Sequence, residues 1–240
     1  MTVALVTGAS RGLGAAVALR LAADGLAVAV NYRSDAAGAA RVVDAIRAAG
    51  GRAESFAADV TDEAEVTGLV TAVGERLGMV TVLVLNATGP QPSIPLPDLT
   101  WEAQLDQLRF FVKSPTLLVR AVLPGMRERG GGRVVHIGSD IVDRKLPGMS
   151  AYIAAKGAQH ALARAWAREL GPYGVTVNVV APGWIPVERH DGLDRSDYLG
   201  EVPLGRMGTP EDVAAAVSFL ASEGGAFVTG ERITVNGGHT

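Results

Sequence analysis

The sequence contains no cysteine, and this absence excludes a disulfide framework and a thiolate nucleophile. Histidine is scarce, because the chain has only His136, His160, His190 and His239, and these lack the spacing of a metal site. We therefore expect no bound metal. The chain also lacks an excess of positive charge, with a formal net charge of −3 and both signs spread along it. Nucleic acid is not an expected partner.

Long apolar runs are missing too, since none reaches about 18 residues, and no charged leader or apolar signal region follows Met1. We expect a cytoplasmic protein without a membrane partner. The composition is that of a packed protein, with 48% hydrophobic and 20% charged residues. At 240 residues the chain is long enough for one sizeable α/β domain and short for two. Residues 1–240 are therefore predicted to form a single domain.

Short β-branched runs alternate with alanine-rich segments of helical periodicity. The seven runs read VALVT, AVAVNY, AESFAA, TVLVLN, RVVHIG, GVTVNVVA and RITVNGG. Helices are predicted over residues 12–24, 35–49, 62–77, 98–129 and 149–170, and from about 209. Because parallel strands need crossover helices, the pattern predicts a Rossmann-type α/β fold, a doubly wound seven-stranded parallel sheet with helices on both faces. The irregular segments 89–97 and 183–207 follow strand ends, where such sheets bind ligands.

A glycine-rich loop, VTGASRGLG, joins the first strand to the first helix. Gly8, Gly12 and Gly14 let a phosphate approach the backbone closely, and the free N–H groups of the helix N-terminus favour an anion. The loop therefore predicts a site for a dinucleotide pyrophosphate. The alternative is a tight strand-to-helix turn that binds nothing.

The end of the second strand, NYRSD, indicates which dinucleotide binds. An acid here would accept a hydrogen bond from a ribose 2′-hydroxyl, whereas a 2′-phosphate requires positive charge. The position holds Asn31 or Tyr32, Arg33 follows, and the glycine loop adds Arg11. This favours NADP(H) over NAD(H). Asp35 is a nearby acid that favours NAD(H), and both arginines have the alternative of being ordinary surface charges.

Lysine is rare in this chain, with three among 22 basic residues, and Lys156 follows Tyr152 by four positions. At that spacing the two side chains share one helix face. A phenol with a pKa of about 10 is a weak acid near neutrality, and a nearby ammonium lowers that pKa by favouring the phenolate. A compact ammonium also donates hydrogen bonds in several directions, which suits a cofactor ribose. The alternative is an amphipathic helix with an interfacial tyrosine and a snorkelling lysine.

Further motifs follow in order along the whole chain, namely AADVTD, YIAAK, VTVNVVAPGWI, PLGRMGTPEDVAAAVSFLAS and TGERITVNGG. With TGASRGLG, they resemble the short-chain dehydrogenases/reductases, in particular 3-oxoacyl-carrier-protein reductases and polyketide-pathway ketoreductases. The resemblance implies an NADP(H)-dependent enzyme in which Ser139 hydrogen-bonds the substrate carbonyl, Tyr152 is the general acid, and Lys156 lowers its pKa and holds the nicotinamide ribose. The positions expected to contact the cofactor are Gly8, Ser10, Arg11, Gly12, Leu13, Gly14, Asn31, Tyr32, Arg33, Asp59, Val60, Asn86, Ala87, Tyr152, Lys156, Pro182, Gly183 and Ile185.

Two positions depart from the pattern of this family. Relatives have an asparagine that supports a proton relay through water to the lysine, and an ungapped count places Phe111 there; no asparagine lies between Asn86 and Asn178. Relatives often have a threonine where Val187 stands, which removes a hydroxyl contact to the cofactor. Trp184, Leu193 and Met149 are predicted to line an apolar pocket, although Trp184 has the alternative of packing the substrate loop, 183–207.

The expected reaction is the reduction of a ketone by NADPH. The family's common substrate is a carrier-bound 3-oxoacyl thioester, and the two departures favour a polyketide-type or cyclic ketone. The alternatives are a non-catalytic NADP(H)-binding sensor or scaffold, and an alcohol dehydrogenase that runs in the oxidative direction. The resemblance also implies a homo-oligomer, a dimer or a tetramer, paired through helices 98–129 and 149–170.

Overall fold

A computed structural model describes residues 2–190 and 192–239, so Asp191 of the predicted substrate loop, Met1 and Thr240 lie outside the described residues. The strands are parallel, and their order across the sheet is β3-β2-β1-β4-β5-β6-β7. This order confirms the predicted doubly wound sheet. The strand bounds are β1 (Val3–Val6), β2 (Ala27–Tyr32), β3 (Ala53–Ala57), β4 (Val80–Leu85), β5 (Gly132–Ile137), β6 (Val175–Pro182) and β7 (Arg232–Val235).

Helices follow the strands along the chain. Their bounds are α1 (Gly12–Ala23), α2 (Ala36–Ala48), α3 (Glu63–Arg76), α4 (Trp101–Leu108), α5 (Ser114–Glu128), α6 (Ile141–Arg144), α7 (Ser150–Leu170), α8 (Ser196–Gly200) and α9 (Pro210–Ala221). Across residues 2–190 and 192–239, no helix is both long enough and apolar enough to cross a membrane.

The core has two layers, one on each face of the sheet. Successive side chains of a strand point to opposite faces, so Val3 and Leu5 join one layer and Ala4 and Val6 join the other. Buried residues of α1, α2 and α9 complete the second layer, and those of α3, α5 and α7 complete the first. Because both faces are covered, the strands read as nearly continuous apolar runs.

The predicted helix over 98–129 is wrong in its start and in its continuity. Leu96–Asp98 is a separate 3-10 turn, and α4 begins at Trp101 because the Thr100 hydroxyl accepts a hydrogen bond from the backbone N–H of Ala103, at 3.2 Å. Between α4 and α5, Arg109–Lys113 forms a π-helical turn. Such turns insert a residue into a helix and are frequent at functional sites.

The segment 183–207, predicted to be irregular, contains two short helical pieces. Glu188–His190 is a 3-10 turn, and α8 follows it. The segment begins directly after β6, on the side of the sheet where the strands end. The sheet therefore places this segment beside the glycine loop, which follows β1.

Candidate active site

The glycine loop follows β1 and leads directly into α1. Gly8 has a backbone φ of +61°, a conformation that favours glycine. A Cβ atom at Gly14 would lie 2.4 Å from the carbonyl oxygen of Gly8, so only glycine lets the helix pack this closely on the loop. The loop thus leaves the N-terminus of α1 open for an anion.

Thr7 ties the glycine loop to the end of β4. Its hydroxyl oxygen accepts hydrogen bonds from the backbone N–H groups of Asn86 and Ala87, both at 3.0 Å. The amide of Asn86 in turn donates to the carbonyl oxygens of Thr7 and Gly8, at 2.9 and 3.0 Å. Sequence reasoning named Asn86 and Ala87 but missed Thr7, whose only signal is its place directly before the glycine motif.

Asn31 has a structural role at the end of β2. It is 1% exposed, its side-chain oxygen accepts from the N–H of Gly8 at 3.2 Å, and its amide donates to the carbonyl oxygen of Ala58 at 3.1 Å. The side chain therefore holds the glycine loop against β2 and the end of β3. The residues that follow it toward solvent are Tyr32 and Arg33.

The charges near the end of β2 favour a phosphate. Arg33 is exposed, with a guanidinium nitrogen 3.8 Å from a carboxylate oxygen of Asp59. Asp35, the acid that favours NAD(H), is the N-cap of α2 and accepts a hydrogen bond from the N–H of Gly38 at 2.8 Å. That hydrogen bond, with further ones from Ser10 and the charges of Arg41 and Arg11, holds the pKa of Asp35 below its usual value. The Asp35 carboxylate therefore already accepts hydrogen bonds from within the protein.

Ser139, Tyr152 and Lys156 come together where β5 ends and α7 begins. The Ser139 hydroxyl oxygen accepts from the N–H of Ile141 at 3.2 Å. The Lys156 ammonium is buried, donates to the carbonyl oxygen of Ile137 at 2.7 Å and to the side-chain oxygen of Gln159 at 3.1 Å, and lies 5.8 Å from the centre of the Tyr152 ring. A buried ammonium beside a phenol is an arrangement that favours proton transfer. Sequence reasoning missed Gln159, because a buried glutamine has no distinctive motif.

Phe111 lies in the π-helical turn and covers this pair. Its side chain is 2% exposed. The ring centre lies 3.9 Å from the Lys156 ammonium and 5.5 Å from the centre of the Tyr152 ring, which it meets edge-on at 67°. The phenyl ring therefore gives the ammonium a cation–π contact at the position where the resemblance implies an asparagine.

The predicted substrate loop packs around Tyr198. The Tyr198 hydroxyl accepts from the N–H of Trp184 at 2.8 Å, and its ring stacks on His239 with centres 4.6 Å apart. Trp184 lies edge-on to Tyr198 and also lines the cleft, so it has both of the roles considered for it. Met149 lines the cleft as predicted, whereas Leu193 is 53% exposed and is not among the lining residues; its predicted place was wrong.

Val187 and Glu188 bring this loop onto the glycine loop. A Cβ atom at Gly12 would lie 3.4 Å from Val187, and the N–H of Gly12 donates to a carboxylate oxygen of Glu188 at 3.4 Å. Glu188 is exposed. Its carboxylate lies where the N-terminus of α1 offers a place for an anion. A bound diphosphate would therefore displace Glu188.

One cleft with a volume of about 1210 Å³ joins these features. Its lining includes Ser139, Tyr152 and Lys156 together with each position expected to contact the cofactor. The glycine cradle, the anion-binding N-terminus of α1 and the exposed Arg11 and Arg33 fit a nicotinamide dinucleotide with a phosphate on its ribose. The cleft therefore joins a candidate dinucleotide site to the hydroxyl groups of Ser139 and Tyr152 and the Lys156 ammonium.

Known proteins are similar to this chain in sequence and in fold. A family model described as enoyl-(acyl carrier protein) reductase matches residues 8–240. The 3-oxoacyl-[acyl-carrier-protein] reductase FabG of Pseudomonas aeruginosa is 38% identical over 241 residues, which cover 98% of this chain and 96% of that protein. A metagenomic blue fluorescent protein in complex with NADPH has a TM-score of 0.92 and 37% identity, covering 100% of this chain and 98% of that one.

A third similar structure is 7α-hydroxysteroid dehydrogenase with NADH and 7-oxo glycochenodeoxycholic acid, at a TM-score of 0.95 and 32% identity, covering 100% of this chain and 94% of that one. These matches extend over the whole fold and include the cleft. The chain belongs to the short-chain dehydrogenase/reductase family. It is accordingly an enzyme, an oxidoreductase of the EC 1.1.1 type that works with a nicotinamide dinucleotide.

Proposed function

We propose that this protein is an NADPH-dependent ketoreductase that acts on a neutral, polyketide-type or cyclic ketone. The observation that carries the proposal is the meeting of Ser139, Tyr152 and Lys156 in the cleft that also contains the glycine loop. The reduced nicotinamide, when bound, supplies hydride to the carbonyl carbon. Ser139 and Tyr152 donate hydrogen bonds to the carbonyl oxygen, and Tyr152 transfers its proton to that oxygen. Lys156 stabilises the resulting phenolate and donates to the nicotinamide ribose.

The charges of the loop support a neutral substrate. Asp194, Asp197 and Glu201 of the segment 183–207 line the cleft, and Arg144 is the lining arginine, among the described residues, that lies outside the glycine loop and the end of β2. A carrier-bound thioester carries a phosphodiester, which these carboxylates would repel. Trp184 and Met149 provide aromatic and apolar surface that suits a ring-shaped ketone.

The choice of NADPH follows from Arg11, Arg33 and the engaged Asp35. We expect Arg33→Ala to weaken NADPH by about 1.5 kcal/mol, or roughly tenfold in Kd, because it removes a charge-assisted contact to the ribose phosphate. NADH lacks that phosphate, so its Kd stays unchanged. Fluorescence titration of both cofactors measures the effect.

Arg20→Ala is the matched control, since Arg20 is exposed at the C-terminal end of α1, where it pairs with Asp24 at 3.1 Å, and Arg33 lies at the opposite end of β2. It leaves both Kd values unchanged. An equal loss for NADPH and NADH in Arg33→Ala, or a wild-type preference for NADH, contradicts the phosphate assignment.

A panel assay tests the reaction itself. NADPH oxidation is followed with cyclic and aromatic ketones, 3-oxoacyl thioesters, an enoyl thioester and the corresponding alcohols with NADP⁺. The proposal predicts the highest kcat/KM with a cyclic ketone. A higher value with an enoyl thioester contradicts ketone reduction. A higher value with an alcohol assigns the oxidative direction instead.

The alternative of a non-catalytic NADP(H)-binding module rested on Phe111, which stands where the resemblance implies a relay asparagine; membership of an enzyme family opposes it. The intact Ser139, Tyr152 and Lys156 favour the enzyme. We also propose that residues 1–240 form a single domain, that the protein is cytoplasmic, and that it is a homo-oligomer, either a dimer or a tetramer.

A further inference from the structure

Gln159 is a buried glutamine on α7, three residues after Lys156. It is 1% exposed, and its side-chain oxygen accepts the hydrogen bond from the Lys156 ammonium at 3.1 Å. The neighbouring buried positions of this helix, Ala155 and Ala163, are apolar. Burying an amide costs free energy unless it is hydrogen-bonded, so an apolar side chain would suit this position better if only packing mattered.

The ammonium needs oxygen acceptors because burial penalises its charged form. The carbonyl oxygen of Ile137 is one acceptor, at 2.7 Å. The ring of Phe111 contacts the ammonium through its π face and offers no oxygen. Phe111 therefore provides no hydrogen-bond acceptor, whereas Gln159 contributes a side-chain oxygen to the ammonium at 3.1 Å.

We propose that Gln159 is a positioning residue, which holds the Lys156 ammonium charged and in place beside Tyr152. This inference rests on the proposed function, since it concerns the same proton donor. Gln159 does not line the cleft and acts through Lys156. Without its oxygen, the ammonium has one strong acceptor fewer and is less effective at stabilising the phenolate of Tyr152.

Three titratable groups in the surroundings of this pair are shielded from solvent: His136, the half-buried His160, and Asp140, which follows Ser139 and lines the same cleft. Burial raises the pKa of Asp140. Burial lowers the pKa of His136, on β5, to about 3 and that of His160, on α7, to about 4, so both are neutral above pH 6. The charge of Arg232 also lowers the pKa of His160, and the charge of Asp143 raises it. The elements that pack around α7 carry further charged or titratable side chains, most of which are exposed, so solvent screens their effect on Lys156. They are Glu102, Asp106, Arg109, Lys113, Arg133, Arg144 and Tyr173.

The titration of Tyr152 tests the proposal without any substrate. Phenolate absorbance is recorded against pH for the whole protein, and subtracting the curve of Tyr152→Phe isolates Tyr152 from the other three tyrosines. We expect a wild-type midpoint below the free value of about 10, and a higher midpoint in Lys156→Met. In Gln159→Met, which removes the oxygen but keeps a side chain of similar length, we expect the Tyr152 midpoint to rise by about 0.5–1 pH unit. Gln159→Leu serves as a second variant.

Gln107→Met is the matched control, because Gln107 is 4% exposed on α4 and donates to the carbonyl oxygen of Pro90 at 2.8 Å. In Gln107→Met the Tyr152 midpoint stays at the wild-type value. If a folded Gln159→Met or Gln159→Leu keeps the wild-type midpoint while Lys156→Met raises it, Gln159 is not a positioning residue and the proposed function stands. If the wild-type midpoint is about 10 and Lys156→Met leaves it there, Lys156 does not tune Tyr152 and the role of Gln159 fails with it, whereas ketone reduction is decided by the panel assay.

Discussion

Tyr152→Phe lowers the rate of ketone reduction by about 10²- to 10⁴-fold, because it removes the hydroxyl that donates the proton and changes little else. This corresponds to about 3–5.5 kcal/mol of transition-state stabilisation. The Tyr152 ring remains in edge-on contact with Phe111, so the packing of α7 against the π-helical turn is preserved. Single-turnover NADPH oxidation at saturating ketone measures the loss.

Tyr173→Phe is the control for this substitution. Tyr173 follows α7, is partly exposed, and lies beneath the guanidinium of Arg127 rather than in the cleft. The Tyr173→Phe variant keeps the wild-type rate within about twofold, as expected for a change at the surface. Both variants bind NADPH like the wild type. A loss of less than tenfold in Tyr152→Phe would assign the proton donor elsewhere.

Phe111→Asn lowers the free energy of unfolding by about 3–5 kcal/mol, the range for removing a buried aromatic ring. The new amide is also buried beside the Lys156 ammonium, so the cation–π contact at 3.9 Å is lost as well. The rate per folded molecule changes by no more than about tenfold, since Tyr152 and Lys156 remain. Urea unfolding measures the first effect and single-turnover kinetics the second.

The same substitution at Phe227, which is fully exposed, is the matched control. Phe227→Asn changes the free energy of unfolding by no more than about 0.5 kcal/mol. An equal, small change at both positions would contradict the packing role of Phe111. If the wild type binds NADPH yet reduces no ketone, and Phe111→Asn gains activity, the natural protein is a binding module.

Local patterns were enough to predict the sheet and the glycine loop. Strand and helix periodicities differ, and a parallel sheet brings the ends of all its strands to one edge, so Gly8, Ser139 and Tyr152 were expected to meet although they are far apart in sequence. The cleft lining confirms that they do. Their roles stay predictions until the variants are measured.

Features that depend on tertiary contacts could not be predicted. Pro115 follows the π-helical turn at Arg109–Lys113 and has no N–H to donate to the carbonyl of Phe111, but such a proline predicts a kink or a break rather than this kind of turn. Asn31 was predicted only as a cofactor contact, yet its buried side chain also holds the glycine loop and the end of β3 against β2. The contact of Glu188 with Gly12 joins positions 176 residues apart. No periodicity carries such information.

The most direct test of ketone reduction uses NADPH that carries deuterium at the hydride-donating position of the nicotinamide, and measures transfer of the label to the product. The enzyme is saturated with the labelled cofactor, mixed with the best ketone of the panel, and the alcohol is analysed by mass spectrometry and NMR. We predict one deuterium at the carbinol carbon in the wild type and a 10²- to 10⁴-fold slower appearance of the same product in Tyr152→Phe. Binding of NADPH with no labelled alcohol from any ketone would contradict the proposed ketoreductase.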